Sequence, residues 1–506
     1  MGLTKPSREV QPTTSSARLA RTGAAPPLKW FIAPVMVFMR KLQRWHDASR
    51  LCLAGWAGVL LLAGCTVTPP EVPRDAALLT GVDNAIVFRS TAEDHAAPAP
   101  HELFASQAVR LALLHDPRIQ SALAKVRIAE ADANQSRLLA NPILAITYRL
   151  PTVPDSNHSF EATLTGDLVQ LLQMPAHISA ADKRLRAAAA DALTTTLDVM
   201  AEVQTVYDAV QSLDAQVTNA QRRLDIARQL GELAHKRLNA GDAVRLDVLT
   251  FDSQALQAEL DLADLAVQRR EQRLILAKLI GEGRSAADWQ LEAWVAQPGA
   301  DSAPETMWID AALACRPEIK SRLWELSALG DDLTAAYFSP FTGGSLGVNA
   351  EHDPDWRVGP AVSTPVPVFD FGQAGRARVE AQKIAARHDL EQTRENLIQE
   401  VRVAYMTWQA TGQSLAAMQT KLLPMLHEQR QQAETAYKAG DSDMATFLLA
   451  QTDYETGMAK VLLLQQRVNA ARINLYRAVG GFGVAMRVES AAREAAIQPS
   501  ATGPTP

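Results

Sequence analysis

One short stretch of this chain has the residue types and spacing of a reacting group. Leu62-Ala63-Gly64-Cys65 sets small residues directly before a cysteine, and it closes the apolar run "CLAGWAGVLLLAGC". Arg40, Lys41 and Arg44 stand ahead of that run. Charge, apolar core, small residues and cysteine in this order read as a bacterial lipoprotein signal. In such a signal the Cys65 thiol is acylated and the cysteine becomes the new N-terminus, which anchors a chain without spanning anything. The apolar run is about a dozen residues, too short for a bilayer span. The alternative is a short buried helix that happens to end in cysteine. No other chemistry is spelled out. The 10 histidines are scattered, with no His-x-His, His-Glu-x-x-His or Cys-x-x-Cys, so no catalytic, metal or cofactor site is expected and the chain does not read as an enzyme. Cys315, in "ALACRPEIK", reads as a small buried hydrophobe on a helix. With Cys52 and Cys65 in the leader, it has no disulfide partner.

The leader sits late. Counted from Met39 it has the length of an ordinary signal peptide, so residues 1–38 read as an over-extended gene start, with a genuine extension as the alternative. Thr66, not Asp, follows the cysteine, which by the usual sorting rule points to the outer membrane. The 506 residues carry a formal net charge of −6, well mixed, which suggests no nucleic-acid partner. Alanine, leucine, glutamine and arginine dominate the middle of each half, a composition that favours long helices.

Those helices are written twice. "HDPRIQSAL" at 115–123 matches "CRPEIKSRL" at 315–323, and "NPIL" matches "SPFT". Ala240-Gly241-Asp242 matches Ala439-Gly440-Asp441, and "KLIGEG" matches "RAVGGF". One order at one spacing marks an internal duplication. The chain divides into an extension and signal (1–64), an anchored linker (65–100), a first repeat (101–283), a connection (284–307), a second repeat (308–482) and a disordered tail (483–506). Each repeat reads as helix, two short strands, a very long helix, a turn and a long return helix.

The first helix is expected from His101 to Asn141. Strands follow, signalled by alternation of Phe160, Ala162 and Leu164 with Glu161, Thr163 and Thr165, and by Leu346, Val348 and Ala350 with a partner near "WRVGPAVST". Pro175 is expected to close the first strand pair and "PVPVFDFG" the second. From Ala176 a helix of some sixty residues carries the stripe Val203, Val206, Val210, Leu213, Val217, Ala220, Leu224, Ala227 in alternating steps of three and four. The second repeat gives Leu397, Val401, Ala404, Trp408, Thr411, Leu415, Met418, Leu422, Met425, with Pro424 expected to kink it. Gly241 and Gly440 suit helix C-caps, with Asp242 and with Ser442 or Asp443 capping the return helices. On the stripes alone, an ordinary coiled-coil hairpin is an equal reading.

Four amphipathic strands cannot close a membrane barrel, and an open sheet with one oily face is a liability. Three chains would supply twelve strands. At this point the duplicated body, from "NPIL" through "PVPVFDFGQAGRARVEAQ" to "RLNAGDAVRLDVL" and "YKAGDSDMATFLLAQ", resembles the TolC family of outer-membrane efflux proteins. The resemblance implies a mainly α fold with a small membrane β part: a homotrimer whose 12-stranded barrel continues as an α-helical tunnel. It implies partners as well, an inner-membrane efflux transporter and a periplasmic adaptor that meets Ala240, Gly241, Asp242, Ala439, Gly440 and Asp441. Members of that family narrow the entrance with aspartates after the second tip; the matching positions here are Thr446 and Leu449, while Asp247 is acidic at the comparable place after the first. No cofactor is implied. "VSTPVPVFDFGQAGR", the missing glycine in "LLQMPAHISAADKR" and Pro424 resemble the heavy-metal branch of the family. Multidrug or peptide export and a pore-less coiled-coil lipoprotein spacer are the competing readings.

Overall fold

The computed structural model describes residues 72–80, 86–89, 101–150, 158–284, 286–292, 294, 303–353 and 355–497. The leader, Cys65 and Thr66 lie outside the described residues. Helix α1 (Val72–Thr80) falls in the stretch read as linker, yet Val72, Ala76 and Ile86 are buried in the core of the first repeat.

Each repeat opens on two short helices, where one was expected. Strand β1 (Glu102–Leu103) leads into α2 (Ala105–His115) and α3 (Pro117–Gln135). The break is at Asp116, because a residue before proline is pushed out of the helical region and proline itself suits the first helical position. Asp116 is extended (φ −63°, ψ 122°) and its carboxylate accepts from the Arg118 N–H at 2.7 Å. The second repeat breaks in the same way at Arg316, between α6 (Glu305–Cys315) and α7 (Pro317–Ala336). Strand β4 (Gln290–Leu291), in the connection, pairs in parallel with β1.

The strands are β2 (Ile143–Arg149), β3 (Ser159–Asp167), β5 (Ser345–His352) and β6 (Trp356–Ser363). They form one antiparallel sheet in the order β2-β3-β5-β6, so each repeat contributes a hairpin and the two hairpins join at β3–β5. Pro175 does not close the strand pair. Asp167 ends β3 and caps α4 (Leu168–Ala240) by accepting from the Gln170 N–H at 2.9 Å, and Pro175 is carried as the eighth residue of a continuous helix. That helix has 73 residues, about 110 Å at ~1.5 Å per residue. In the second repeat nine residues separate β6 from α8 (Gln373–Ala417). Gly372 makes the difference: it caps α8 at φ +75°, where a side chain would meet Ser339 and Pro340.

The long helices pack along each other, α4 against α3, α5 (Arg245–Leu279), α7 and α10 (Met444–Val479). The expected stripe on α4 is inside: Val203, Val210, Leu213, Ala220, Leu224 and Ala227 are all buried. On α8 the stripe holds through Leu397, Val401, Trp408, Leu415 and Met418, then fails. A π-helical turn (Met418–Leu422) precedes α9 (Leu423–Ala439), two residues before Pro424. The wide turn rotates the face that follows by one position, so Leu422 and Met425 are exposed while Leu423 and Leu426 turn toward Gly457 of α10.

The second repeat's core centres on Trp308, fully buried with its ring edge-on to Trp408 at 6.1 Å and stacked on Tyr476 at 6.4 Å. Cys315 is partly buried against the same core. The tail expected to be disordered from residue 483 instead continues as α11 (Phe482–Ile497), which buries Val484, Ala485 and Val488 there.

Candidate functional site

The sheet has two chemistries. Across the four strands, one face reads Leu144, Leu164, Val348 and Pro360, then Ile146, Ala162, Ala350 and Val358, then Tyr148, Phe160, His352 and Trp356. The other reads Ala145, Thr163, Asn349 and Gly359, then Thr147, Glu161, Glu351 and Arg357. Alternation along each strand is the cause, and the register keeps like beside like. The apolar face is open: Ile146 is 60% exposed and Val358 70%. Its aromatic row lies at the end away from the helices, with Tyr148 stacked on His158 at 5.9 Å and Trp356 edge-on to His352 at 5.1 Å. On the polar face Arg149 pairs with Glu161 at 3.1 Å, and the Asn349 amide donates to Glu161 at 3.0 Å. Strands β2 and β6 are edges with no further partner among the described residues.

At the far end of the long helices the two Ala-Gly-Asp turns are built alike. Gly241 (φ +86°) and Gly440 (φ +84°) take the left-handed conformation that lets the chain close the helix end. The Asp242 N–H donates to the Arg237 carbonyl at 2.8 Å, and the Asp441 N–H to the Ala436 carbonyl at 2.9 Å. Ala240, Gly241, Asp242, Ala439, Gly440 and Asp441 are all exposed. The expected caps divide. Asp443 does cap α10, accepting from the Thr446 N–H at 3.0 Å and its hydroxyl at 2.7 Å. Asp242 does not cap α5; Asp247 serves that helix instead, accepting from the Val244 N–H at 3.3 Å. Thr446 is thus engaged with Asp443, and Leu449 is 43% exposed on the next turn.

The tips also touch each other, which the sequence did not signal. Arg237 of the first repeat pairs with Asp443 of the second at 2.9 Å. Bonds from Thr446 and the Arg237 guanidinium hold the Asp443 carboxyl below the usual carboxylate range. Ile226 and Leu230 pack beside Leu448 beneath that pair. Farther up, a polar seam runs between α4 and α10. The buried Asn219 amide donates to the buried Glu455 carboxylate at 2.8 Å, and Asn469 donates to Asp208 at 2.7 Å. Burial pushes the Asp208 carboxyl up, against the bonds it accepts from Asn469 and Trp294.

A sheet with one open oily face and one polar face has the alternation that membrane barrels use. The sequence profile described as outer membrane efflux protein matches residues 108–282 and 308–481, one match per repeat. The chain belongs to the outer membrane efflux protein family. That family consists of transport channels of the outer membrane, not enzymes. The chain is 29% identical over 217 residues to the fusaric acid resistance protein FusA of Burkholderia cepacia; that match spans 40% of this chain and 40% of FusA. Two solved structures show the same fold. CusC, described for conformational changes accompanying folding and transmembrane channel formation, is 18% identical with a TM-score of 0.61, covering 79% of this chain and 98% of CusC. The outer membrane protein VceC of Vibrio cholerae is 19% identical with a TM-score of 0.59, covering 74% of this chain and 96% of VceC. No described helix is long and apolar enough to cross a membrane.

Proposed function

We propose that this outer-membrane efflux protein is the exit channel of a tripartite pump, assembled from three copies. The observation that carries the reading is the open, two-faced sheet. Two copies would bring eight strands, and an eight-stranded barrel has an interior that side chains largely fill. Three copies bring twelve, which leaves a lumen lined by the Glu161, Asn349 and Arg357 face. The helices offer the matching contact surface. On α5, Leu246, Leu249, Leu256, Leu260, Val267 and Leu274 are exposed at heptad-compatible spacing, an unpartnered stripe that a neighbouring copy would cover.

In this reading the long helices form a periplasmic tunnel, and Ala240, Gly241, Asp242, Ala439, Gly440 and Asp441 present the tube end to a periplasmic adaptor. Asp247, Thr446 and Leu449 lie beside that mouth. An inner-membrane transporter supplies the energy, and acylated Cys65 tethers the chain to the outer membrane. Heavy-metal cations are one cargo class, on the resemblance of "PVPVFDFGQAGR" and Pro424. The relationship to FusA favours a second class, small organic acids.

The test is a deletion strain challenged with metal ions, organic acids and hydrophobic drugs, alongside complemented and Cys65→Ala strains. Sensitivity confined to one class assigns the cargo. A protein that never forms a heat-resistant trimer in outer membranes would overturn the channel and favour the spacer.

A further inference from the structure

We propose that Lys460 and Arg467 of α10 form a positive collar inside the tunnel, so that the channel passes organic anions in preference to metal cations. This inference rests on the trimeric channel reading and chooses between its two cargo classes.

The two long hairpins differ in charge. Between Glu400 and Glu428 on α8 and α9, and from Thr456 to Val479 on α10, the second hairpin has no aspartate or glutamate. It carries Arg402, Lys421, Lys460, Arg467, Arg472 and Arg477 there. The matching parts of the first hairpin are mixed in sign, with Asp208, Asp214 and Asp225 on α4 and Glu259, Asp261 and Asp264 on α5. Three of the six cations are already engaged. Arg402 pairs with Glu305 at 2.9 Å, Arg477 with Asp198 at 2.7 Å, and Arg472 lies over the Tyr476 ring at 5.8 Å. Lys421, Lys460 and Arg467 are exposed and make no hydrogen bond or ion pair among the described residues.

Position on the helix decides where Lys460 and Arg467 point. Leu449, Asp453, Lys460, Leu463, Arg467 and Asn474 are all exposed and recur at heptad-compatible spacing, so they share one face of α10. The flanks of α10 are taken by its own chain. Glu455 and Asn469 bond to Asn219 and Asp208 of α4, and Gly457 sits against Leu426 of α9. A neighbouring copy has no flank to occupy, and the exposed face looks either into the tunnel or out of it. Tyr476, two residues beyond Asn474, lies about 200° around the helix. It stacks on Trp308 of α6 and donates to Glu489 of α11 at 2.6 Å. Inside a tube α6 and α11 would block it, so they stand outside and the face of Lys460 and Arg467 lines the lumen. Asp453, on the tip side, is the one carboxylate of that face.

Lys460 and Arg467 are about 10 Å apart along the axis, close to one Debye length at ~0.1 M salt. Their fields overlap, and a lumen lined by one sign concentrates the opposite ion. A carboxylic acid with a pKa of about 4 is an anion at neutral pH.

The experiment measures ion selectivity of the mature trimer, purified from outer membranes, in planar lipid bilayers. Gradients of potassium chloride and then potassium benzoate run between ~0.01 and ~0.1 M, where screening is weak. Wild type should pass chloride and benzoate several-fold better than potassium. Lys460→Gln with Arg467→Gln should remove that preference, and Lys460→Glu with Arg467→Glu should reverse it. Arg228→Gln takes the same charge from the α4 face that carries Tyr207, three heptads away, and should leave the ratio unchanged. Cation preference in wild type, or an unchanged ratio in the double glutamate variant, would overturn the proposal. So would loss of the heat-resistant trimer in the double glutamine variant, which would place this face against a neighbouring copy. A trimer that carries no current in any variant would instead overturn the channel reading itself.

Discussion

The Asn219–Glu455 pair gives the sharpest test of how the two repeats are held together. Both side chains are buried, 4% and 6% exposed, and they join α4 to α10 across the repeat boundary. Glu455 accepts from Asn219 at 2.8 Å and from Gln451 at 3.2 Å. Asn219→Leu keeps the branched outline at a somewhat larger volume but leaves the carboxylate with one donor. Loss of a bond to a buried charged group costs about 2–3 kcal/mol, so local opening of α10 should become about 30- to 140-fold more frequent at ~1.4 kcal/mol per tenfold. Glu455→Leu removes the charge and leaves the Asn219 amide its bond to the backbone carbonyl of residue 455, now 3.2 Å away, so its cost should be smaller. The double substitution removes both polar groups and should be near neutral or stabilising, because apolar replacement of a buried polar pair is often so. The assay is hydrogen exchange of the α10 amides around Glu455 in the purified protein. Equal exchange in wild type and Asn219→Leu, or a double variant as weak as the two single losses added, would refute the argument.

Three further outcomes follow from the same structure. Trp308→Ala should lower stability by about 4 kcal/mol, the usual loss for a fully buried tryptophan, and thermal unfolding followed by helical circular dichroism would show no shift if the ring were dispensable. At Gly347 a Cβ would land on the Leu164 carbonyl oxygen and within 2.8 Å of the Thr165 Cα, so Gly347→Val should force β3 and β5 apart; heat-resistant oligomer of wild-type abundance would contradict this. Asp208 is held with a raised pKa by burial, so its stabilising contribution is complete below the unfolded value of about 3.9 and is lost as pH rises through the folded value; Asp208→Asn should therefore gain on wild type between pH 4 and 7, and a pH-independent difference in unfolding midpoints would count against it.

Much of this architecture was legible because periodicity and duplication are properties of sequence. Phe160, Ala162 and Leu164 share a face simply because strands alternate, and the α4 stripe is inside because its steps of three and four keep its apolar residues on one side; the second buried face of α4, through Ser212, Asn219 and Ile226, had no such apolar signal. The misreadings were local contests between two rules. Pro175 suits the close of a strand pair, with a helix from Ala176, but Asp167 offers a cap eight residues before it and the helix absorbs the proline. His101 to Asn141 looked continuous, although Pro117 and Pro317 at matching places were sufficient to break both helices. Strand β2 was not located, since Ile143, Leu144 and Ile146 form an apolar run in which alternation is hard to see. The contacts between repeats, Arg237 with Asp443 and Asn219 with Glu455, had no sequence signal. Residues more than two hundred positions apart become neighbours only through packing.

The differences between the repeats explain why a duplicated chain does not behave as two interchangeable halves. At the first joint Arg118 pairs with Asp116 and with Glu202, and the Arg118 side chain is 49% exposed. At the second joint the charges are reversed. Arg316 is 4% exposed and bonds to Glu318 at 2.7 Å and Glu400 at 3.2 Å, while Arg477 links Glu400 to Asp198 of the first repeat. An arginine buried among carboxylates is stable only while those partners stay in place. A first-repeat joint, with aspartate where Arg316 stands, would set an acid against Glu400. The reversal therefore makes the correct pairing of repeats favourable and the swapped pairing repulsive, which a chain with two copies of every long helix requires. The π turn before Pro424 acts in the same direction, because it aligns Leu423 and Leu426 with Gly457 and no equivalent turn exists in α4. Symmetry is kept at the two exposed Ala-Gly-Asp turns, and broken where one repeat must recognise the other.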